Sequence, residues 1–376
     1  MGPLQGIIIL EMGGVGPGPF CGMMLADMGA EVIRIERKDQ YRLSSHKTDI
    51  LNRGKKSINI DLKNPAGQSA VLKMVQAVDG LLEGFRPGVM EKLGLGPEVC
   101  LARNQRLVYG RMTGWGQEGP LSSEAGHDIN YIALTGALHC MGRAGERPAP
   151  PLNLVGDFGG GGMLLAFGMA CALFEREKSG KGQVVDGAII DGAAALMAMI
   201  YGFRAAGSWS LQREDNILDG AAHFYDTYET IDGKYVALGA IEPKFYKNLL
   251  RILQLEDCHG DDQYKKEKWA MMKNKIAGKF KEKTREQWCE IFENQNACFA
   301  PVLSLDEARE HPHNVCRKIF MEIDGVVQAA PAPRFSRTEN KPPTPSPEPG
   351  RHTQEVLGKF GFTPKEIAGL KGQQVF

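Results

Sequence analysis

The stretch "ILEMGGVGPGPFCGMMLADMGAEVIRIER", residues 9–37, has the order of a strand, a glycine-rich loop, a helix and a second strand. The apolar β-branched run 6–10 predicts the first strand, a helix over 19–30 ends at a glycine, and residues 31–36 predict the second strand. Further along, the pattern predicts a helix at 66–80 and strands at 81–85, 106–116 and 182–189. This alternation indicates an α/β fold in which helices cover both faces of a parallel sheet. Such sheets bind ligands at the carboxyl ends of their strands.

The glycine loop suggests a dinucleotide-binding site, and Glu36 stands where such a site binds a ribose hydroxyl. The loop differs from that motif in detail, because Pro17 and Pro19 remove two amide donors and the third glycine of the spacing falls on Pro19 or Cys21. Glu36 is also flanked by basic residues, a setting that suits phosphate better than a ribose hydroxyl. A nicotinamide cofactor is therefore disfavoured, and a purely structural turn stays open as an alternative.

The composition is that of an ordinary globular protein of 376 residues, with 43% hydrophobic and 24% charged residues. The 45 basic residues balance 45 acidic ones, so no net field favours nucleic acid or a membrane surface. The eight cysteines are scattered without a C-x-x-C pair, which is typical of reduced thiols in an intracellular protein and indicates no metal site. The longest clean apolar helix, predicted at 163–174, has 12 residues and is too short for a membrane span.

The second half of the chain predicts a smaller domain of mixed α+β type. A hairpin at 224–240 is predicted to turn at Asp232-Gly233 in a two-residue loop. One apolar helical face follows, formed by Trp269, Met272, Ile276 and Phe280, and then a helix whose capping box is Thr284 and Gln287. Residues 329–350 are rich in proline and predict an extended connection, after which Thr363, Pro364 and Glu366 begin a final helix.

These patterns divide the chain into a large domain at 1–200, completed by about 330–376, and a small domain at 220–328. The N-terminus enters a strand at once, without the features of a signal or transit peptide, and the tail "QQVF" is not a peroxisomal address. We therefore expect an intracellular protein without a clear targeting signal.

Several basic residues lie near the ends of predicted strands and could together bind a ligand with several phosphates. They are Arg37, Lys55, Lys56, Lys63, Arg86 and Lys92. Each of them alone is more often a surface charge.

Three residues are candidates for chemistry. His127 lies at the start of an apolar helix, where amides with the positive end of the helix dipole suit a developing oxyanion, although a lone histidine is commonly structural. Asp157 precedes four consecutive glycines, where it could cap the next helix, and the glycines suggest that something large lies against this loop. Glu242 follows the hairpin, just before a proline, and could orient an imidazole.

Eight segments together resemble the racemase branch of the class III CoA-transferase (CaiB/BaiF-like) superfamily. They are "GPGPFCGMMLADMGAEVIRIER", "RPGVMEKLGLGPE", "RMTGWGQEGP", "AGHDINYIALTGAL", "PPLNLVGDFGGG", "SGKGQVVD", "NILDGAAHFYDTYET" and "VALGAIEPKFY". They cover residues 3 to about 245, and "ACFAPVLSLDEA" and "PAPRFSR" extend the likeness to about 337. The resemblance implies a Rossmann-like large domain, a small domain and an interlocked homodimer whose active site combines large and small domains of different subunits.

The resemblance also implies roles for individual residues. His127 and Asp157 match the two acid/base residues, Glu242 would support His127, and the amide of Asp128 would bind the thioester oxygen. The CoA and acyl site would be lined by Arg37, Ile60, Asp61, Leu62, Lys63, Arg86, Lys92, Gly126, Ile129, Asn130 and Tyr131.

The implied activity is racemisation of (2R)- and (2S)-2-methylacyl-CoA thioesters, in which two acid/base groups flank one carbon and an enolate forms between them. Backbone amides stabilise such an enolate more than the substrate. No cofactor is expected, since CoA is part of the substrate, and a flat, methionine-rich surface is expected to hold the acyl chain. The resemblance places the enzyme in fatty acid metabolism and bile acid biosynthesis, in mitochondria or peroxisomes of an animal or in the cytoplasm of a bacterium.

Three other functions stay open at this point. Class III CoA-transferases use an aspartate at the position of Asp157 as a nucleophile, so Asp157 alone does not decide between them and the racemases. The stretch "GHDINY" is what resembles the racemases in particular. A nicotinamide oxidoreductase and a catalytically silent acyl-CoA-binding protein are the remaining alternatives.

Overall fold

The computed structural model describes residues 2–38, 45–255 and 258–376. The chain forms two compact units, each made of segments that are separate in the sequence. The first comprises 1–135, 151–197 and 318–376, and the second comprises 136–150 and 198–317. The candidate residues named above all lie in the described part of the chain.

A six-stranded sheet forms the centre of the first unit. Its strands are β1 (Ile8–Met12), β2 (Glu31–Glu36), β3 (Lys56–Asn59), β4 (Gly80–Glu83), β5 (Val108–Thr113) and β6 (Val184–Ala188). Their order is β3-β2-β1-β4-β5-β6 and every neighbouring pair is parallel, which confirms the predicted sheet. The strand order reverses between β1 and β4, so loops at the carboxyl ends of these strands border a crevice.

Helices cover this sheet on both faces, as the alternation of the sequence predicts. They are α1 (Pro17–Asp27), α2 (Pro65–Val75), α3 (Val89–Lys92), α4 (Pro97–Arg103), α5 (Asp128–Leu134), α6 (Leu164–Ser179) and α7 (Ile189–Leu196). Leu10 packs in one core cluster with α2, whereas its neighbour Ile9 packs in another cluster with α1 and α6. Successive strand residues point to opposite faces, so β1 contributes to both cores.

A π-helical segment, Leu154–Met163, runs directly into α6. The resulting helix, Leu154–Ser179, has 26 residues, longer than the 12-residue apolar helix that the sequence predicts. By length and composition it could cross a membrane, but a core helix of similar composition passes the same test. Here Met169 packs against Gly80 and Gly110 of the sheet. The helix is therefore no clear membrane span.

The second unit contains a three-stranded antiparallel sheet in the order β7-β8-β9 with helices around it. In chain order its elements are α8 (Ala198–Ala205), β7 (Tyr225–Glu229), β8 (Tyr235–Gly239), α9 (Pro243–Ile252), α10 (Trp269–Phe280), α11 (Arg285–Phe292), β9 (Phe299–Pro301), α12 (Leu305–Glu310) and α13 (Pro312–Cys316). The buried face of α10 and the capping box of α11 are those predicted. The hairpin turn is longer than the predicted two-residue loop, because Thr230 and Lys234 still pair and Gly233 completes the turn with φ +72°.

The last part of the chain, from residue 318, belongs to the first unit, whereas residues up to 328 were predicted to belong to the small domain. It forms the hairpin β10 (Phe320–Ile323) and β11 (Val326–Ala329), an irregular proline-rich connection, and the helices α14 (Thr353–Lys359) and α15 (Pro364–Gly372). Leu357 and Leu370 join the core against α2. The backbone N–H of Ser57 donates to His352 Nδ1 at 3.1 Å, so this segment covers the free edge of β3.

Candidate active site

A cavity of about 580 Å³ opens at the carboxyl ends of β1, β4 and β5. Loops that follow these strands form its walls. The lining includes Met12, Gly14–Pro19, Leu82–Pro87, Met112–Trp115, Ser122, Glu124–His127, Tyr131, Asn153, Asp157 and Ile189. His127 and Asp157, which are 30 positions apart in the sequence, thus face one cavity.

His127 is the N-cap residue of α5, at the predicted helix start. Its backbone N–H donates to Asn130 Oδ1 at 3.1 Å, and its carbonyl accepts from the backbone N–H of Asn130 at 2.7 Å. The preceding residue must be glycine, because a Cβ at Gly126 would lie 2.7 Å from Tyr131 and 3.0 Å from Trp115. The loop carrying His127 is therefore fixed by packing against two aromatic rings, whose centroids are 4.7 Å apart.

The start of α5 supplies backbone amides that the helix itself does not use. The first N–H groups of a helix lack partners within it, and the dipole makes this end positive. Asp128 is the first residue of α5, directly after His127. The role of its amide as a donor to a thioester oxygen stays a prediction.

Asp157 lies inside the π-helical segment, so the expected role of an N-cap is wrong. The helix begins at Leu154, and Asp157 is its fourth residue. Burial and the nearby carboxylate of Asp128 raise the pKa of Asp157 to about 6, while the charge of His127 and a hydrogen bond from Asn153 oppose that rise. A carboxyl with this pKa exchanges its proton near neutral pH.

The four glycines after Asp157 serve packing within the chain, not the approach of a large ligand. A Cβ at Gly160 would lie 2.6 Å from the backbone N of Ala193 in α7. A Cβ at Gly162 would lie 2.7 Å from the carbonyl oxygen of Pro17 in α1. Two helices approach the π-helical segment so closely that side chains do not fit between them.

A buried charge network holds the glycine loop after β1, and sequence reasoning missed it. Arg34 donates to Gly14 O at 2.9 Å and Lys55 Nζ donates to Pro19 O at 2.9 Å. Both cations pair with Glu11, at 2.8 Å and 2.7 Å. The only sequence signal for this network was the presence of basic residues on or near a strand. That their side chains are buried against the loop follows only from the fold.

The structure corrects two predictions about charged residues near β2 and β3. Lys55 is buried, and Lys56 pairs with Glu31 and Glu355, so neither is available as a phosphate ligand in the way the sequence suggested. Glu36 is also buried, with Ser57 Oγ donating to it at 2.5 Å, which removes it as a ribose ligand.

The residues that the resemblance assigns to the CoA site differ in whether they line this cavity. Arg86, Gly126 and Tyr131 line the cavity, whereas Arg37, Lys63, Lys92, Ile129 and Asn130 are exposed and are not among its lining residues. Ile60, Asp61 and Leu62 follow β3, at the same edge. The side chain of Ile60 is buried in the core, so only its backbone could reach a ligand.

Glu242 is exposed and precedes α9 as its N-cap residue, in the second unit. Its relation to His127 stays a prediction.

The sheet order and the cavity define an α/β protein in which a histidine and an aspartate line one cavity at the carboxyl edge of the sheet. The chain belongs to CoA-transferase family III, whose family model matches residues 4–353. It is 47% identical to the α-methylacyl-CoA racemase of Mus musculus and 44% identical to that of Homo sapiens, in each case over 99% of this chain and 97% of the relative. Its fold is similar to the crystal structure of a CAIB/BAIF family protein from Brucella suis, with a TM-score of 0.80, 23% identity and coverage of 96% of this chain and 99% of that one.

Proposed function

We propose that this protein is an α-methylacyl-CoA racemase that interconverts (2R)- and (2S)-2-methylacyl-CoA thioesters. The observation that carries the proposal is that His127 and Asp157 line the same cavity. The similarity to racemases along 99% of the chain supports the assignment of substrate and reaction.

The reaction transfers two protons, one from C2 of the substrate to a base and one from an acid to C2. One of the pair, His127 or Asp157, removes the proton at C2 of the thioester, and the other supplies a proton to the opposite face of that carbon. The carboxyl of Asp157, whose pKa is about 6, can exchange a proton near neutral pH, and histidine is the side chain most often used as a general acid or base. Because the direction of transfer depends only on which group begins protonated, the same site serves both epimers.

The negative charge of the intermediate gathers on the thioester oxygen. The amide of Asp128 at the start of α5 donates to that oxygen in our proposal. Removing one donor of this kind typically slows a reaction by about 10²–10³-fold. The chemistry assigns no step to a metal or an organic cofactor, since CoA is part of the substrate.

The phosphates of CoA bind to the basic residues at the sheet edge in this proposal. Arg86 is best placed because it lines the cavity, and Arg37, Lys63 and Lys92 extend the positive charge beyond it. Met12 and Met112 belong to the apolar lining available for the acyl chain.

We also propose that the protein is a homodimer. The helix Leu154–Ser179 carries Met163, Phe167 and Phe174 on one face, and these side chains are 50%, 67% and 65% exposed. Exposed apolar faces of this kind mark interaction surfaces. The support of Glu242 for His127, a role in fatty acid metabolism and bile acid biosynthesis, and the compartment stay predictions.

The test is to incubate one epimer of a 2-methylacyl-CoA in D₂O without an acceptor or cofactor. We expect deuterium at C2 and formation of the other epimer. His127→Ala and Asp157→Ala are each expected to abolish inversion, and each should leave exchange on one face only. Retention of full activity in both variants would refute the roles of these residues.

A parallel incubation with an added carboxylic acid tests the alternatives. Movement of CoA to that acid, without exchange at C2, would indicate a CoA-transferase, a reaction in which Asp157 would be the nucleophile. Binding without exchange or transfer would indicate a silent acyl-CoA-binding protein.

A further inference from the structure

The side chain of Asp128 joins the two elements that carry His127 and Asp157. Asp128 follows His127 at the start of α5, and it is only 6% exposed. Its Oδ1 accepts a hydrogen bond of 2.6 Å from the backbone N–H of Asp157, 29 residues away. The Asp128 carboxylate therefore links the backbone of Asp157 to the residue that directly follows His127.

The chain is built for this contact at Gly156 as well. A Cβ at Gly156 would lie 2.4 Å from Asp128 Oδ1 and 3.2 Å from the Asp128 carbonyl oxygen. Any other residue would push the π-helical segment away from α5 and break the bond to Asp157. Glycine is thus required at position 156 by its contact with Asp128, and not only by the helix that contains it.

The contact also brings negative charge to Asp157. The second oxygen, Asp128 Oδ2, is buried and has no hydrogen-bond partner among the described residues. After burial, Asp128 is the largest cause of the raised pKa of Asp157, and His127 is the charged group that opposes it. Tyr131, also on α5, interacts with Asp157 and with the cavity residue Arg86.

We propose that the Asp128 carboxylate is a positioning residue that holds the π-helical segment against α5 and thereby fixes Asp157 in relation to His127. This role is separate from the donor role proposed for the Asp128 amide, because substitution by asparagine or alanine leaves the backbone N–H in place. The charge of the carboxylate has a second effect, since it favours the protonated form of Asp157. The inference rests on the proposed racemase function.

Two substitutions separate the hydrogen bond from the charge. Asp128→Asn keeps an acceptor oxygen of the same shape but removes the charge, and Asp128→Ala removes both. For Asp128→Ala we expect kcat for racemisation to fall by about 10²-fold with little change in KM, since small displacements of catalytic groups cost this much. Asp128→Asn should restore most of that loss, and the acidic limb of its kcat profile should move to lower pH, because the charge that raises the pKa of Asp157 has been removed.

Asp324→Asn is the matched control, because Asp324 is an exposed turn residue with φ +50° where asparagine is equally favourable. It should leave both kcat and the pH profile unchanged. Circular dichroism and the thermal midpoint of each variant establish that it is folded, and Asp128→Asn keeps the test available if Asp128→Ala does not fold.

The outcomes distinguish this inference from the function on which it rests. If wild-type protein neither exchanges nor inverts at C2, the racemase function itself is refuted. If wild-type protein is active but Asp128→Asn and Asp128→Ala both keep its kcat and pH profile, the positioning role alone is wrong. Equal loss in the two variants, without a shifted profile, would also contradict it.

Discussion

The carboxyl of Asp157 should make the folded protein less stable as the pH rises. Burial and Asp128 raise its pKa from 3.8 to about 6 in the folded state. Between these values the folded state keeps a proton that the unfolded state has released, so stability falls as pH increases. Asp157→Asn cannot ionise and should escape this loss.

The magnitude follows from the shift. About two pKa units correspond to about 3 kcal/mol, and because Asp157 is only half-buried, screening by solvent reduces the expected effect to about 1–2 kcal/mol. Urea unfolding of wild-type protein and Asp157→Asn from pH 4.5 to 8 measures it. We expect the free energy of unfolding of the variant, relative to wild type, to increase by that amount across the range.

A matched substitution separates this effect from a general response to pH. Asp324→Asn, in the exposed turn between β10 and β11 of the same unit, should show no such gain. If the difference between Asp157→Asn and wild type stays constant from pH 4.5 to 8, the environment assigned to Asp157 is wrong.

Three further effects can be measured on purified protein. Lys55→Met leaves the buried Glu11 without one of its two cations and should lower the free energy of unfolding by about 3–5 kcal/mol. A loss below about 1 kcal/mol in urea titrations would contradict the pairing of these charges in the protein interior. Gly160→Ala should destabilise the fold because its Cβ would meet the backbone of α7. Gly278→Ala, in α10 where a Cβ would have nothing within 4 Å, should raise stability by about 0.5–1 kcal/mol. Thermal midpoints of the two variants that move in the same direction would count against this packing. Burial lowers the pKa of His223 to about 4, so stability should be lost as pH falls from 6.5 towards 4, by up to about 3 kcal/mol, and His223→Gln should reduce that acid sensitivity in the same titrations.

Much of the fold follows from local features of the chain. The bounds of β2 agree with the predicted 31–36, and the apolar face of α10 and the capping residues of α11 and α15 are those predicted. These features depend on residues within a few positions of one another, where backbone geometry sets which side chains share a face. Strand and helix alternation then leaves few ways to build the sheet.

The candidate site shows the limit of such reasoning. The sequence placed His127 at a helix start, and resemblance paired it with Asp157, but Asp157 was expected to cap a helix that begins before it. A run of four glycines gives no sign that its backbone continues as a π-helix. Only the fold shows that α1 and α7 approach this segment too closely for side chains to fit between them.

The sequence by itself determined the alternation of strands and helices and the position of His127 at a helix start, and its resemblance to a family identified the pair of groups that can carry protons. Tertiary structure alone decided that Lys55 and Arg34 turn inward to hold a loop, and that the Asp128 carboxylate meets the amide of Asp157. The physical reason is the range of the forces involved. Periodicity and capping act between near neighbours, whereas burial, close backbone approach and the pairing of charges depend on which distant segments the folded chain brings together.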